Sequence, residues 1–232
     1  MKPELIVMLT YNDQTVQNAF ELFDELRNAP IQHWGFKDVG LPPEEMKDLV
    51  GAMNEAGKTT YLEVVSLTEE EGLVGAKLSA EAKFDILMGT VFFDSINEFM
   101  RDQSVDYYPF PGKVYSHPSI LDGDIDEIVA HAREMEGKGV QGMDLLTYRY
   151  TGDARRLLKE VVKATNVPIV SAGSIASFER IAEVWEAGAP RFTIGSAFFD
   201  QKFVPDGSFA DNVLAVANWL AETEESDLSR FL

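Results

Sequence analysis

The chain has 232 residues, 45% of them hydrophobic and 25% charged, which is enough to bury a sizeable core and excludes a disordered chain. Its 39 acidic and 20 basic residues give a net charge of -19, and no Lys/Arg-rich stretch offsets it, so a nucleic-acid partner is not expected. The absence of cysteine excludes disulfides and thiolate sites, and no apolar run approaches the ~20 residues that span a bilayer.

Short β-branched or aromatic runs alternate with longer amphipathic segments along the chain, which predicts βα units around a parallel sheet. The first strand is predicted from Leu5 to Thr10, and Asn12 or Asp13 is expected to cap the helix after it. The other strands are predicted at about Gln32 to Val39, Thr59 to Ser66, Asp85 to Val91, Asp106 to Phe110, Met143 to Tyr148, Val167 to Ser171 and Arg191 to Ile194. Helices are predicted between them.

Eight evenly spaced units close a barrel more naturally than they fill an open sheet, so the pattern predicts a single (β/α)8 TIM barrel of the α/β class. One domain over residues 1-232 is expected, because no Pro/Ser-rich linker interrupts the units. An open doubly wound sheet remains the alternative. The connection from Pro109 to Asp124 is the most irregular part of the chain, and the pattern assigns it no role.

Two glycine turns follow the last two predicted strands. The seventh strand runs into Ala172-Gly173-Ser174, and the eighth runs into Gly195-Ser196. A glycine at a strand end lets the backbone approach a ligand, and the amides after it point into the gap at the rim of the barrel. One helix and one strand separate the turns, so they should lie side by side and form an anion-binding nest.

In these paired turns the segment from Val167 to Phe199 resembles the ribulose-phosphate-binding barrel superfamily, which includes histidine-pathway isomerases, indole-glycerol-phosphate synthase and N-acetylmannosamine-6-phosphate epimerase. The resemblance implies a substrate phosphate held by backbone amides. By match of motif, the phosphate-binding residues here are Ala172, Gly173, Ser174, Gly195 and Ser196. Similar turns hold the phosphate of FMN in larger flavin-dependent barrels, so the motif does not specify the molecule that carries the phosphate.

Strand alternation predicts which side chains face the lumen of the barrel. The apolar neighbours of Glu63 suit the helix layer, so Glu63 should point inside; Trp34 and Phe36 suit that layer too, so Lys37 should point inside. Lys37 and Glu63 would then meet near the rim, where they can abstract a proton beside a carbonyl or stabilise an enolate. Asp38 would orient Lys37, bind substrate or cap the next loop. An inert ion pair is the structural alternative.

Three further residues are predicted at the rim as substrate-binding groups. Thr10 ends the first strand, Thr90 ends the fourth, and Arg149 follows the sixth, where it could clamp a second anionic group. His117 lies in the loop after the fifth strand and is more typical of a turn than of a catalytic acid. His33 should pack low in the barrel, and His131 should lie on a helix surface; no metal site is predicted, because the three histidines have no ligand spacing.

The sequence therefore favours an enzyme that acts on a small phosphorylated metabolite, as an isomerase, an epimerase or an aldolase-type lyase. A non-catalytic phosphometabolite sensor and an FMN-binding barrel remain alternatives. No cofactor is predicted, although Mg²⁺ on Asp38 and Glu63, or FMN, stays open, as does Schiff-base formation by Lys37. No membrane partner is expected, a homo-oligomer is possible, and the absence of signal-peptide features at Met1 to Glu4 favours a cytoplasmic location.

Overall fold

Eight parallel strands form the centre of the molecule in a computed structural model that describes residues 1–232. They are β1 (Glu4–Met8), β2 (His33–Lys37), β3 (Thr59–Val64), β4 (Ile86–Val91), β5 (Asp106–Phe110), β6 (Met143–Leu145), β7 (Ile169–Ser171) and β8 (Arg191–Ile194). Their hydrogen-bonded order is β6-β7-β8-β1-β2-β3-β4-β5. At the seam between β5 and β6, the Gln141 amide donates to the Tyr107 carbonyl oxygen at 3.3 Å. The sheet is a nearly closed barrel, so the predicted (β/α)8 fold is confirmed.

One helix follows each strand and packs outside the barrel. The helices are α1 (Ala19–Leu26), α2 (Pro43–Glu55), α3 (Glu69–Ala82), α4 (Asp94–Arg101), α5 (Ile125–Gly137), α6 (Ala154–Ala164), α7 (Phe178–Ala187) and α8 (Phe209–Glu222). A four-residue helix, Ser196–Phe199, precedes α8. Residues at the N-termini favour the positions at which the helices begin. Pro43 is the first residue of α2, and the Ser177 hydroxyl accepts a hydrogen bond from the Arg180 amide at the start of α7. No helix is long and apolar enough to cross a membrane.

Two apolar layers hold the barrel together. The main core, 49 buried residues, lies between strands and helices and includes Trp34 and Phe36, as the alternation predicted. A separate cluster of seven residues fills the lumen, among them Tyr61, Met88 and Tyr108. Burial of these apolar side chains is the main favourable term in the folding free energy. Polar side chains nearer the carboxyl ends of the strands therefore rest on a packed apolar layer.

The chain after β1 differs from the prediction. Asn12 and Asp13 do not cap a helix; they form the turn of a two-stranded hairpin, Thr10–Tyr11 with Gln14–Thr15, and α1 begins only at Ala19. Both turn residues have positive φ, 48° and 63°. The same short polar side chains that favour helix caps also tolerate the left-handed backbone region, so the sequence pattern is compatible with either structure.

The irregular connection after β5 contains a second hairpin, Lys113–Tyr115 with Ile120–Asp122, and His117 is exposed at its tip. His131 was predicted on a helix surface, but it is half-buried, and its Nδ1 accepts a hydrogen bond from the Gly112 amide at 2.9 Å. His33 is buried as expected, with its Nδ1 2.9 Å from the Tyr61 hydroxyl oxygen. None of the three histidines lines the cavity described next.

Candidate active site

A cavity of about 260 Å³ opens at the carboxyl ends of the strands, where (β/α)8 enzymes bind their substrates. Its lining brings together residues from β1, β2, β3 and the turns after β6, β7 and β8. Predicted site residues in the lining are Thr10, Lys37, Glu63, Arg149, Ala172, Gly173, Ser174, Gly195 and Ser196. Asp38 and Thr90 are not among the lining residues.

The turn after β7 is built on left-handed backbone. Gly173 has φ 81° and Ser174 has φ 58°. A Cβ at Gly173 would lie 2.9 Å from the Cγ atom of Arg149, so both the conformation and the close approach require glycine there. The amides of Gly173 and Ser174 donate to no protein acceptor, which leaves them available to an anion.

The turn after β8 is held by close packing instead. A Cβ at Gly195 would lie only 2.5 Å from the Thr10 Oγ1 atom. The Ser196 Oγ accepts a hydrogen bond from the Asn12 amide at 3.2 Å, so the hairpin after β1 is docked on this turn. The amides of Gly195 and Ser196 also have no protein acceptor, whereas the Ala172 amide donates to the Leu145 carbonyl oxygen at 2.8 Å. Ala172 therefore lines the cavity without a free donor, contrary to the motif match.

Lys37 and Glu63 stand opposite each other in the register of β2 and β3, and Lys37 Nζ is 3.1 Å from Glu63 Oε1. The ammonium group also donates to Asp13 Oδ1 at 2.8 Å. Arg149 closes the other side of Asp13, with NH1 3.2 Å from Oδ2 and NH2 3.1 Å from Oδ1. Two cations and two carboxylates thus form one network at the cavity floor.

These contacts move the pKa values of the network. Burial alone would lower the pKa of Lys37, but the charges of Glu63 and Asp13 outweigh it and raise the pKa. Burial alone would raise the pKa of Asp13, but hydrogen bonds from Arg149 and Lys37 bring it down to about 2. Lys37 is consequently an ammonium cation at neutral pH, suited to stabilising negative charge rather than to attacking as a free amine.

Asp38 and Thr90 point away from the cavity. Asp38 Oδ1 accepts a hydrogen bond from the Val65 amide at 3.2 Å, and burial raises its pKa to about 6. Thr90 has φ 61° at a register shift between β4 and β5, and its hydroxyl lies 2.7 Å from the Tyr107 hydroxyl in the outer core. The bulge turns Thr90 toward the helices, so its side chain lies in the outer core and not among the residues that line the cavity.

Arg180 is a cavity residue that the sequence analysis missed. Its NH1 donates to the Ser174 carbonyl oxygen, and its guanidinium carbon lies 4.7 Å from the ring centroid of Tyr148. Unlike Lys37 and Arg149, it forms no ion pair with a carboxylate. Its place in the first turn of α7, directly after the glycine turn, is the sequence signal that could have identified it.

Asp13 and Asp144 were missed as well. Asn12-Asp13 is typical of a turn as well as of a helix cap, and this is the signal that indicates Asp13 at a hairpin turn. Asp144, in the middle of β6 between two outward-facing apolar residues, is fully buried, and neither of its oxygens has a hydrogen-bond partner. An acid in a short apolar strand is itself a signal of an interior polar site.

No three His, Cys, Asp or Glu side chains are grouped to hold a metal ion. Asp38 bonds to a backbone amide and Glu63 faces Lys37, so the pair considered for Mg²⁺ does not fit that role. No step of the chemistry is assigned to a metal.

No family model matches the chain. Among curated proteins it is similar to a phosphoribosyl imidazole-4-carboxamide isomerase from Persephonella marina, with 25% identity over 120 residues, 44% of this chain and 50% of the relative. The chain thus matches half the length of that relative.

Solved structures resemble the whole barrel at low sequence identity. Orotidine 5'-phosphate decarboxylase from Pyrococcus horikoshii OT3 has a TM-score of 0.66 at 11% identity, over 94% of this chain and 100% of that one. The N-acetylmannosamine-6-phosphate 2-epimerase from Clostridium perfringens has 0.60 at 10% identity, over 84% and 86%. A native KDPGal structure has 0.66 at 12% identity, over 96% and 98%. These comparisons confirm the resemblance to the phosphate-binding (β/α)8 barrel superfamily that the paired glycine turns indicated.

Proposed function

We propose that the protein is an enzyme that converts a small phosphorylated metabolite by carbanion or enol chemistry, as an isomerase or epimerase, with an aldolase-type lyase as the neighbouring possibility. One observation carries this proposal. A single cavity joins the unpaired amides of the two glycine turns to the buried network of Lys37 and Glu63. The similar proteins include an isomerase, an epimerase and a decarboxylase whose names contain a phosphate or phosphoribosyl group.

The phosphate would lie between the two turns. The amides of Gly173, Ser174, Gly195 and Ser196 supply donors, and Arg180 supplies a positive charge that no protein carboxylate neutralises. Stacking on Tyr148 restricts the guanidinium group, so less side-chain entropy is lost when an anion binds. Binding energy from this remote group would position the rest of the substrate over the cavity floor.

At the floor, Glu63 would act as the base and Lys37 as the electrostatic stabiliser. Glu63 takes a proton from the carbon beside a carbonyl, and the electron pair of the C–H bond moves onto the carbonyl oxygen near the Lys37 ammonium group. In a hydroxy-carbonyl substrate, return of the proton to the carbonyl carbon, together with transfer of the neighbouring hydroxyl proton to the former carbonyl oxygen, isomerises the substrate. Delivery of a proton from water to the opposite face of the first carbon epimerises it, and Glu63 then releases its proton to solvent. Because the pKa of Lys37 is raised, this chemistry is favoured over a Schiff-base lyase.

We do not expect this chain to catalyse the reaction for which the Persephonella relative is named. The histidine-pathway isomerases place aspartates at the ends of strands one and five, whereas this chain has Thr10 and Pro109 near those places. The nearby carboxylate here is Asp13, which arrives from the hairpin and is neutralised by Lys37 and Arg149. We therefore expect a substrate of a different class from that of the histidine-pathway isomerases, converted by the carbanion or enol chemistry described above.

The first test is a thermal-shift screen of phosphosugars and other phosphate esters, followed by turnover assays on the hits. Gly173→Asp places a carboxylate in the nest, and Gly188→Asp is its matched control: φ is 81° and 82° at the two positions, and Gly188 ends α7 away from the cavity. We expect hits for the wild type and Gly188→Asp, no hits for Gly173→Asp, and no turnover for Lys37→Met.

Each other result has a defined meaning. Phosphate-ester binding that persists in Gly173→Asp would remove the phosphate site from the proposal. Binding without turnover of any hit would favour a phosphometabolite sensor, and a yellow purified protein would favour the flavin-binding alternative.

A further inference from the structure

Asp144 points into the lumen of the barrel, the side that Lys37 and Glu63 also face. Its neighbours in β6, Met143 and Leu145, belong to the outer core, so Asp144 points to the opposite side, and its register partner Val170 belongs to the lumen cluster. The side chain is fully buried, and neither carboxyl oxygen has a hydrogen-bond partner.

A buried carboxyl group without a hydrogen-bond partner lowers the stability of the fold. A buried polar group without a partner destabilises a fold by roughly 1–3 kcal/mol, and an ionised one by more. An apolar side chain would fill the same space among the lumen residues at no such cost. A cost of this kind is typically retained at positions that serve function.

Glu63 is the natural partner of Asp144 in the chemistry. Glu63 lines the cavity, and its Oε1 atom is 3.1 Å from the ammonium nitrogen of Lys37. Asp144 is fully buried and forms neither a hydrogen bond nor an ion pair, and its register partner Val170 belongs to the lumen cluster. Burial of this kind favours the neutral form of a carboxyl group. Two carboxyl groups in such different surroundings, one paired with a cation and the other buried without a partner, can divide into a base and an acid.

We propose that Asp144 is the buried proton donor that works with Glu63 as the base in the same reaction. Glu63 takes the proton from the substrate carbon, the electron pair moves onto the carbonyl oxygen, and the proton of Asp144 goes to that oxygen. Asp144 is left as a carboxylate and recovers its proton when the enol returns to a carbonyl and Glu63 delivers its proton to carbon. Because Asp144 is not among the residues that line the cavity, the proposed transfer requires one bridging water or a rotation of the side chain. This inference rests on the proposed function.

Other charges bear on the protonation of Asp144. Burial and the negative charge of Glu63 raise its pKa well above the usual range, while Lys37 on β2 and Arg149 after β6 oppose the shift. Tyr108 on β5 is the other titratable side chain on its neighbouring strands that belongs to the lumen cluster, and burial raises its pKa also, so it carries no charge at neutral pH. Burial thus favours the protonated form of both the carboxyl and the phenol.

The first measurement needs no substrate. An acid whose pKa is higher in the folded state than the ordinary value of about 3.9 loses its stabilising contribution as pH rises above that value. Asp144→Asn keeps the shape and removes the titration. The Tm difference, Asp144→Asn minus wild type, should therefore grow steadily between pH 4 and pH 8. Asp144→Leu should also melt no lower than wild type at pH 8.

The second measurement uses a phosphate ester that the wild type converts. We expect kcat of Asp144→Asn to fall by about 10²-fold or more with KM within about threefold, because proton transfer and not binding is lost. Full kcat in Asp144→Asn, or a Tm difference that is flat with pH, would overturn the role of Asp144 and leave the proposed function standing. Failure of the wild type to convert any phosphate ester would instead remove the proposed function, and the proton-donor role with it.

Discussion

Asp13 and Asp38 are close in sequence to the ends of neighbouring strands, yet their surroundings move their pKa values in opposite directions. Hydrogen bonds from Arg149 and Lys37 overcome burial and lower the pKa of Asp13 to about 2. Burial raises the pKa of Asp38 to about 6, because its main contact is a single backbone amide. The two carboxyl groups should therefore contribute opposite slopes to stability as a function of pH.

Asp13→Asn tests the first slope. A lowered pKa contributes stability above the ordinary value of about 3.9 and loses it as pH falls toward 2, so the variant should be less stable by about 2 kcal/mol at pH 7 and nearly equal to wild type near pH 2. Urea unfolding at several pH values measures this. Asp24→Asn is the control, because Asp24 forms an exposed ion pair with Arg27 and should cost under about 1 kcal/mol. If Asp13→Asn is as stable as the control, the contacts of Asp13 with Lys37 and Arg149 do not stabilise the fold.

Asp38→Asn tests the second slope, and its sign is reversed. A raised pKa costs the wild type stability as pH rises from about 4 through 6, whereas an Asn oxygen can still accept the Val65 hydrogen bond without a charge. The variant should match wild type near pH 4 and exceed it by up to about 3 kcal/mol at pH 8. The same unfolding series measures it, and a difference independent of pH would show that Asp38 is not protonated on folding.

The inward direction of Lys37 and Glu63 was predictable, because apolar residues alternate with them over five or six residues of strand. The alternation does not show the inward direction of Asp144, because β6 has only three residues; the signal there is the presence of an acid in a short apolar strand. The position of Asp13 was not predictable, because it depends on a left-handed turn that brings it back to Lys37, and short-range patterns do not determine such tertiary contacts.

At the level of elements, the hairpin after β1 connects the two halves of the site. Asp13 at its turn holds Lys37 and Arg149, while Asn12 and Tyr11 hydrogen-bond to Ser196 and Asp200 near the second glycine turn. The hairpin therefore fixes the distance between the expected phosphate position and the reacting groups, which is the kind of positioning on which rate depends steeply.

Gly195→Ala should disturb this docking. The added Cβ would lie 2.5 Å from Thr10 Oγ1 and 2.9 Å from the Thr10 carbonyl oxygen, so the hairpin must shift. We expect phosphate-ester binding to weaken at least tenfold by calorimetry, about 1.4 kcal/mol. Gly51→Ala in α2 is the control, since nothing lies within 4 Å of its Cβ and alanine favours a helix by about 1 kcal/mol. Unchanged binding in Gly195→Ala would mean that the second turn does not contact the ligand.

The direction of the Thr90 side chain cannot be predicted from the repeated βα pattern. Regular alternation puts it at the rim, but the register shift at Met88 and Val91 and the positive φ of Gly89 and Thr90 turn its side chain outward. Bulges of this kind arise from local packing between strands and leave no hydrophobic period to detect. The barrel itself was predictable because eight such units leave few alternative topologies.

At the level of the whole molecule, one side chain contributes a hydrogen bond to the closure of the barrel. Gln141 Oε1 accepts a hydrogen bond from the Tyr107 amide at 2.9 Å where the ladder between β5 and β6 is incomplete. Gln141→Ala leaves this amide without its acceptor, at a cost of roughly 1–3 kcal/mol in unfolding free energy. Gln103→Ala, which removes only a 3.4 Å bond to the Phe99 carbonyl, is the control for chemical denaturation. Equal stability of both variants would contradict this role.

The net charge of -19 poses a problem for a protein that is proposed to bind a phosphate ester. The charged side chains that line the cavity balance one another: Asp13, Glu63 and Asp200 against Lys37, Arg149 and Arg180. An approaching anion therefore meets the repulsive field of the whole surface until it is close enough for Arg180 and the free amides to attract it.

Salt should screen that repulsion before it affects the short-range contacts, because the Debye length falls to about 10 Å at 0.1 M. The association rate constant of a phosphate ester should accordingly rise when NaCl increases from about 10 mM to about 0.1 M, which is the opposite of attractive steering. Stopped-flow measurements on wild type and Arg180→Gln separate the long-range repulsion by the surface from the short-range attraction by Arg180. The exposed Arg133→Gln is the control. Arg180→Gln should keep the salt dependence and dissociate the ligand faster. An association rate that falls with salt in the wild type would mean that local cations, not the acidic surface, govern the approach.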